Sequence, residues 1–445
     1  MIQCASNFFQ KSHASTASSK RLKFKRRSIL YLTCITLLLP SISAADVLQS
    51  LISTVLQEHP SIQAQQAQER EAKASLDSAT WQYYPTPSFS IENAQTRASD
   101  AAYQGNGTVS TFRLQQPLWT GGRLTAGVKK AEIGMSVSQA SLEEVRQQLA
   151  LRVVQSYGDW LSAHLKVLAY DQSMVSHLRL RDQVKRRIEQ GASSESDLIQ
   201  AVSRLQSVAA DLSVGRAQKD IALARIGQLL GRRVDDAALR LSLASPRPIT
   251  PDPQKLLDLA LNINPSLNKA RARVLLQETA ITERRANLSP EVFLRAERQY
   301  GNHATANTNP ETRLFVGLSS RFGAGLSNLS DIEGARAQHQ AALADVDVQS
   351  RAVSEQILTD HVLATSMDSR LEALNASLEA AGQVSESYDR QYLAGRKTWL
   401  DVMNAARELT QTQVQLADIK AAQIVASWRL AIHTQGLAAV SGNKP

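Results

Sequence analysis

The chain has 445 residues, 43% apolar and 20% charged, which is enough to bury a core and excludes a disordered polymer. Its net charge of +9 points toward nucleic acid, yet seven of the 50 basic residues (Lys11, Lys20, Arg21, Lys23, Lys25, Arg26 and Arg27) crowd positions 1–45, which hold no Asp or Glu. The other 43 face 41 acidic residues, a balance of +2, so no nucleic-acid partner is expected.

Residues 1–45 have the order of a secretory signal: a basic cluster from Lys20 to Arg27, an apolar run from Ile29 to Leu39, then Pro40 and the small residues Ser41, Ser43, Ala44 and Ala45. Cleavage is expected near Ala45. An apolar run of about 11 residues is too short for a span that needs about 20. A retained anchor is the lesser reading. Cys4 and Cys34 both lie in this leader, so the mature chain is expected to lack disulfides and Cys-bound metal.

The mature sequence repeats. His59-Pro60-Ser61-Ile62 recurs as Asn264-Pro265-Ser266-Leu267 and Pro85 as Pro290, both at an offset of 205. Arg187 to Gly191 aligns with Gln391 to Gly395, and Asp197 with Asp401, at an offset of 204. Two diverged copies are expected, 46–244 and 254–437, joined by a Pro-rich connector at 245–253 and followed by a tail at 438–445.

Each copy begins with a helical stretch that ends by Pro85 or Pro290, because the residue before proline is pushed out of the helical region. Alternating residues follow: Phe89 and Ile91 against Ser90 and Glu92 in the first copy, and Val292, Leu294 and Ala296 against Phe293, Arg295 and Glu297 in the second. Polar loops lead to second strands, best seen where Leu314, Val316 and Leu318 alternate with Arg313, Phe315 and Gly317. The hairpins are expected at about 87–118 and 291–323. Their strands of about ten residues suit a tilted crossing of a bilayer. Four strands cannot close a barrel, and an open edge in lipid leaves backbone groups unpaired, so closure requires oligomerisation.

Proline-free helical regions follow at about 123–190 and 327–394. About 68 residues at 1.5 Å each extend roughly 100 Å. Shorter helices at about 60–84 and 196–231 are expected to stack end to end beside the first long one. Leu142, Val145, Leu149, Val153, Ser156 and Trp160, and Leu198, Ala201, Leu205, Val208 and Leu212, fall at coiled-coil spacings. The expected fold class is mainly α with a small β part: a long coiled-coil helical barrel and a transmembrane β-barrel completed by oligomerisation. A soluble helical bundle explains the seams equally well but not the hairpins or the leader.

Catalytic chemistry finds no support. The eight histidines are scattered, Gly121, Gly122 and Gly127 lack the Lys-Ser or Lys-Thr of a phosphate loop, and no Gly-x-Ser-x-Gly elbow occurs. No catalytic residue, cofactor or metal is expected.

The run Gln116-Pro117-Leu118-Trp119-Thr120-Gly121-Gly122-Arg123 at the strand-to-helix junction resembles the TolC family of outer-membrane efflux proteins. Its counterpart from Ser320 to Gly325 is looser. The turns Gly191 to Leu198 and Gly395 to Val402, each a Gly followed six residues later by Asp, resemble that family's two periplasmic tips (about 190–198 and 394–402). The resemblance covers essentially the whole mature chain. It implies a homotrimer with a 12-stranded barrel in the outer membrane and 12 helices forming a tunnel through the periplasm. It further implies a periplasmic adaptor (membrane fusion) protein and an inner-membrane ABC, RND or MFS transporter as partners, with lipid around the barrel. Small toxic compounds and exported proteins both suit such a duct; a soluble periplasmic coiled-coil scaffold or adaptor is the alternative.

By the same resemblance Ser196, Asp197, Tyr392, Lys397, Asp401 and Asn404 form a periplasmic gate. Tyr392 is expected to meet Asp197, Lys397 to approach Ser196, and Asp401 to face the pore. The family's pattern has an Arg where this chain has Lys397 and a second Asp where it has Asn404. That makes the ring less acidic and the link less fork-like. Gly191, Gly395 and Arg396 are expected at the adaptor-docking tip. Helix termination by the two glycines and capping by the two aspartates is a simpler reading, compatible with a gate. Trp81, Tyr83, Tyr84, Trp119 and Phe322 are expected at the membrane interface, with ordinary core packing as the alternative. The Arg179 to Arg187 run reads as a solvated helix face or an adaptor contact.

Overall fold

The computed structural model describes residues 45–95, 102, 104–239, 252–306, 309–320 and 323–440. The leader through Ala44, connector residues 245–251, Phe322 and tail residues 441–445 lie outside the described residues.

Helices α1 (Ala45–Glu58) and α2 (Pro60–Trp81) precede strands β1 (Thr86–Asn93) and β2 (Thr108–Trp119), the long helix α3 (Arg123–Glu189) and α4 (Glu195–Leu230). The same order returns as α5 (Pro253–Ile263), α6 (Pro265–Ala286), β3 (Glu291–Tyr300), β4 (Glu311–Ser319), α7 (Ser327–Leu393) and α8 (Trp399–Val440). Both α2 and α6 have 22 residues and begin on a proline, whose missing N–H costs nothing in the first turn. His59 and Asn264 cap them from equivalent positions. Helices α3 and α7 each have 67 residues.

Along its first part α3 lies between α2 and α6, and along its second part between α4 and α8. Ion pairs sit at the seams: Lys130 with Glu283 of α6 at 2.8 Å, Arg225 of α4 with Asp159 at 3.2 Å, and Lys166 with Asp418 of α8 at 2.7 Å. Helix α7 packs against α6 and then α8. The lateral order is therefore α2–α3–α6–α7 toward the strands and α4–α3–α8–α7 away from them. As inferred from sequence for the first copy, two shorter helices follow one another along the long one, α2 then α4 along α3, and the second copy does the same with α6 then α8 along α7. Among the described residues no helix is long and apolar enough to cross a membrane.

The four strands form one antiparallel sheet in the order β1-β2-β3-β4. Its register aligns Phe89 with Phe112, Leu114 with Ala296 and Leu314, Leu294 with Val316, and Val292 with Leu318. All of these point to one face, since directly opposed residues share a side. Leu314, Val316 and Leu318 are 70%, 74% and 70% exposed, an aliphatic face with none of the described residues packed over it. The other face carries Arg113, Arg295, Glu297, Gln299, Glu311 and Arg313. An irregularity between Pro117 and Trp119 keeps Trp119 on the apolar side and accommodates a proline in a central strand.

The main core lies between α1, α3, α4 and α8, around the fully buried Trp160 and Tyr157. The expected seam residues Leu142, Leu149, Val153 and Trp160 are buried in it, and Ala201, Leu205 and Leu212 are buried further along α4. Trp160 Nε1 donates to Asp236 at 2.8 Å, and Lys219 donates to the same carboxylate at 2.9 Å, pinning the turn after α4 back onto α3.

His433, buried in α8 one turn beyond Arg429, has its pKa lowered to about 4 by burial and then by the Arg429 charge. Between pH 6.5 and about 4 the unfolded chain binds a proton that the folded chain refuses. Stability is therefore full above 6.5 and falls with pH across that window, by about 3 kcal/mol. The neighbouring Asp360, 1% exposed and paired with Arg429 at 3.3 Å, titrates in the opposite sense because burial raises its carboxyl. His433→Leu isolates the imidazole: its unfolding midpoint is expected to change less between pH 7 and 5 than that of the parent. An identical slope in the two proteins would contradict this.

Candidate functional site

The end of the molecule remote from the strands is made by two turns, α3 to α4 and α7 to α8. Each long helix ends on a glycine with positive φ, Gly191 at 69° and Gly395 at 71°. A side chain there would be strained, so glycine suits the stop. Ala192 N donates to Arg187 O and Arg396 N to Gln391 O, the six-to-one closure that satisfies the last carbonyls.

The next helices start with matching caps. Ser194 Oγ accepts from Asp197 N at 3.3 Å, while Asp197 Oδ2 accepts from Ser194 N at 3.1 Å and Ser193 Oγ at 2.7 Å. Thr398 Oγ1 accepts from Asp401 N at 3.3 Å, while Asp401 Oδ2 accepts from Thr398 N at 3.1 Å and Thr398 Oγ1 at 2.8 Å. The hydroxyl donors, Ser193 first for Asp197 and Thr398 for Asp401, hold both carboxyls below the ordinary Asp value, so both are anions at neutral pH. Both aspartates therefore serve as helix caps, and the charge that each retains is available to the tip.

The two turns meet through a small apolar cluster of Leu180, Val184, Ala201, Tyr392, Trp399, Val402, Met403 and Ala406. Tyr392 is 3% exposed and its ring centre lies 6.1 Å from that of Trp399. The Arg187 guanidinium stacks on the opposite copy's ring at 4.6 Å from the Tyr392 centroid and also donates to Tyr392 O. The phenol oxygen is buried without a hydrogen bond of standard geometry. Burial raises its pKa, the Ser193 hydroxyl and Arg187 charge oppose this, and the Asp197 charge adds to it. Tyr392 and Asp197 thus share one tip without a direct bond in this chain. Lys397 lies 4.2 Å over the Tyr388 ring, and Ser196 and Asn404 are exposed.

Sequence reasoning singled out neither Trp399, Tyr388 nor the stacking role of Arg187. Arg187 is half-buried rather than solvated, and Arg179 pairs with Asp389 at 3.3 Å. The usable signal was the repeat itself, which sets Arg187 beside Tyr392 once the two equivalent turns are placed side by side.

At the strand-to-helix junction Trp81, Tyr83, Tyr84 and Trp119 are all exposed. The rings of Trp81 and Tyr84 are 5.0 Å apart, and the Tyr83 hydroxyl bonds Thr125 at 3.0 Å. Apolar bodies with polar ends at the rim of an apolar sheet face suit a membrane surface. Gly121, at φ 58°, runs against Ser289, where any Cβ would overlap the Ser289 side chain. The first β2–α3 junction thus locks onto the α6–β3 junction of the second copy.

Among the described residues no group of His, Cys, Asp or Glu is arranged to hold a metal ion.

The chain matches the outer membrane efflux protein family over residues 51–232 and 256–432. It is 24% identical to the alkaline protease secretion protein AprF of Pseudomonas aeruginosa over 332 residues, 72% of this chain and 68% of that one. It is also 24% identical to the outer membrane efflux protein BepC of Brucella suis, over 78% of this chain and 75% of that one. In fold it resembles the Vibrio cholerae outer membrane protein VceC, with a TM-score of 0.76 at 17% identity over 87% of this chain and 96% of that one. The MtrE outer membrane channel of Neisseria gonorrhoeae, in its open state, gives 0.72 at 16% identity over 89% and 93%. The chain belongs to the outer membrane efflux protein family, channels rather than enzymes, seated in the outer membrane with the helical part in the periplasm.

Proposed function

We propose that three copies of this chain form an exit duct across the outer membrane and periplasm, fed by an inner-membrane transporter through a periplasmic adaptor. The observation that carries this reading is the pair of open edges running the length of the molecule. Among the described residues strands β1 and β4 are both unpaired on one side, and they continue into α2 and α4 on one edge and α7 on the other. Exposed aliphatics mark these edges, Ile199, Val214 and Ile221 on α4 and Leu358 and Val362 on α7. An unpaired strand edge in lipid leaves backbone groups unsatisfied at several kcal/mol each, so the edges must meet copies of themselves. Three copies supply the 12 strands that the family resemblance implies.

At the tip, Tyr392, Lys397, Ser196 and Asp197 form the closing contacts, and Asp401 lines the constriction with Asn404 one turn behind it. Gly191, Gly395 and Arg396 present the surface that the adaptor meets. Asp401→Asn keeps an oxygen for the Thr398 cap while removing the charge. It is expected to weaken block of single-channel current by hexaamminecobalt(III), and unaltered block would remove Asp401 from the constriction.

Cargo divides into two classes. AprF is named for alkaline protease secretion and BepC for efflux. A strain lacking this chain, scored for susceptibility to dyes, detergents and antibiotics and for its secreted proteins, separates them. Sensitisation with normal secretion means small-molecule efflux; loss of one large exported protein with normal resistance means type I secretion. No change in either contradicts the exit duct.

A further inference from the structure

The polar face of the sheet, which a closed barrel turns inward, is unevenly charged along its axis. One rung across the four strands is Ser88, Arg113, Glu297 and Arg313; the next toward the helices is Thr86, Gln115, Arg295 and Phe315. These two rungs hold three guanidiniums and one carboxylate. Glu297 is shared: Arg113 Nε donates to it at 3.2 Å and Arg295 Nε lies 3.7 Å away, beyond hydrogen-bond reach. Arg313 turns instead to Glu311 on its own strand.

Arg295 is the unusual member. Its Nε is buried with no hydrogen-bond partner among the described residues, and its guanidinium carbon lies 4.7 Å from the Phe315 centroid and 5.8 Å from that of Phe293. Phe293 reaches across because position 317 is glycine: a Cβ there would come within 2.3 Å of the ring. With 28% of its side chain exposed, Arg295 remains open to the lumen. Phe293 and Phe315 are both half-buried, so part of each ring stays open on the lumen face beside the guanidinium, an apolar surface that an apolar body can cover. Charge repulsion of cations alone would need Arg113 and Arg313 but neither ring.

We propose that Arg295, with Phe293 and Phe315, forms a collar inside the barrel that binds amphiphilic organic anions in transit, an inference that rests on the duct proposed above. The guanidinium offers donors to a carboxylate or sulfonate, and the rings receive the apolar body. Three copies set three such sites at one height.

The test is current through the purified protein in planar bilayers, with naphthalene-1-sulfonate added on the loop side and naphthylmethylammonium as its cationic counterpart. The sulfonate is expected to interrupt the current and the ammonium to leave it unchanged. Arg295→Gln is expected to weaken sulfonate block about tenfold, the scale of one hydrogen bond to a charged group. Phe315→Leu, which keeps the charge, is expected to weaken it by a smaller factor and serves if Arg295→Gln does not assemble. Equal block by both probes, or block unaltered in the variants at normal conductance, overturns the collar and leaves the duct standing. Absence of any channel from correctly assembled protein overturns the duct and the collar with it.

Discussion

Replacing Tyr392 and Lys397 together with alanine is expected to raise single-channel conductance several-fold. Tyr392 fills the cluster that joins the two turns, and removing a buried aromatic costs about 3–5 kcal/mol through lost contacts and the cavity left behind. The Arg187 stack on its ring goes too, worth about 0.5–2 kcal/mol depending on solvent exposure. Lys397→Ala removes the ammonium that rests on Tyr388 and the charge available to a neighbouring copy. The ends of α7 and α8 then lose their ties to α3 and α4, and the tip opens. Tyr392→Phe separates two causes: among the described residues its hydroxyl makes no hydrogen bond of standard geometry and has only the Ser193 hydroxyl near it, so this variant leaves the ring packing intact and is expected to change conductance far less than the double variant. Unchanged conductance in the double variant removes both residues from the gate.

A charge on the apolar face of the sheet is expected to abolish assembly. Val316 sits mid-strand, opposite Leu294, on the exposed aliphatic face that the proposed barrel turns toward lipid. Arginine at a bilayer midplane costs about 2–4 kcal/mol, and three copies multiply the penalty within one barrel. Val316→Arg should therefore leave little or no heat-resistant oligomer in the outer-membrane fraction. Thr111→Lys is the control, since Thr111 opposes Gln299 on the lumen face, and it is expected to assemble normally. Equal yields from the two variants would mean that the faces are assigned the wrong way round.

The sequence exposed the fold through periodicity and repetition. The proline pairs marked where α2 and α6 begin, the alternation from Val292 to Ala296 and from Leu314 to Leu318 marked strands β3 and β4, and the absence of proline marked α3 and α7. Lateral partners were less legible. The seam from Leu142 to Trp160 shows that α3 is buried on one side but not that α8 joins α4 there, because a 3,4 spacing specifies a stripe and names no partner. The turn after α4, pinned by Asp236 to Trp160 and Lys219, had no periodic signal at all. At the tip the glycines and aspartates were legible because termination and capping are local chemistry. The Arg187–Tyr392 stack joins residues about 200 positions apart, and only the arrangement of four helix ends brings them together.

The central claim is that the β1 and β4 edges of separate copies close one barrel. Both cysteines of the sequence lie at positions 4 and 34, so no native cysteine between residues 35 and 445 competes with cysteines placed in the strands. A cysteine at Ser90 in β1, paired in turn with single cysteines along β4 from Arg313 to Ser319, should give disulfide-linked dimers and trimers in the outer-membrane fraction at one register and not at its neighbours. Monomers alone at every register, from protein present in that membrane, would contradict the account.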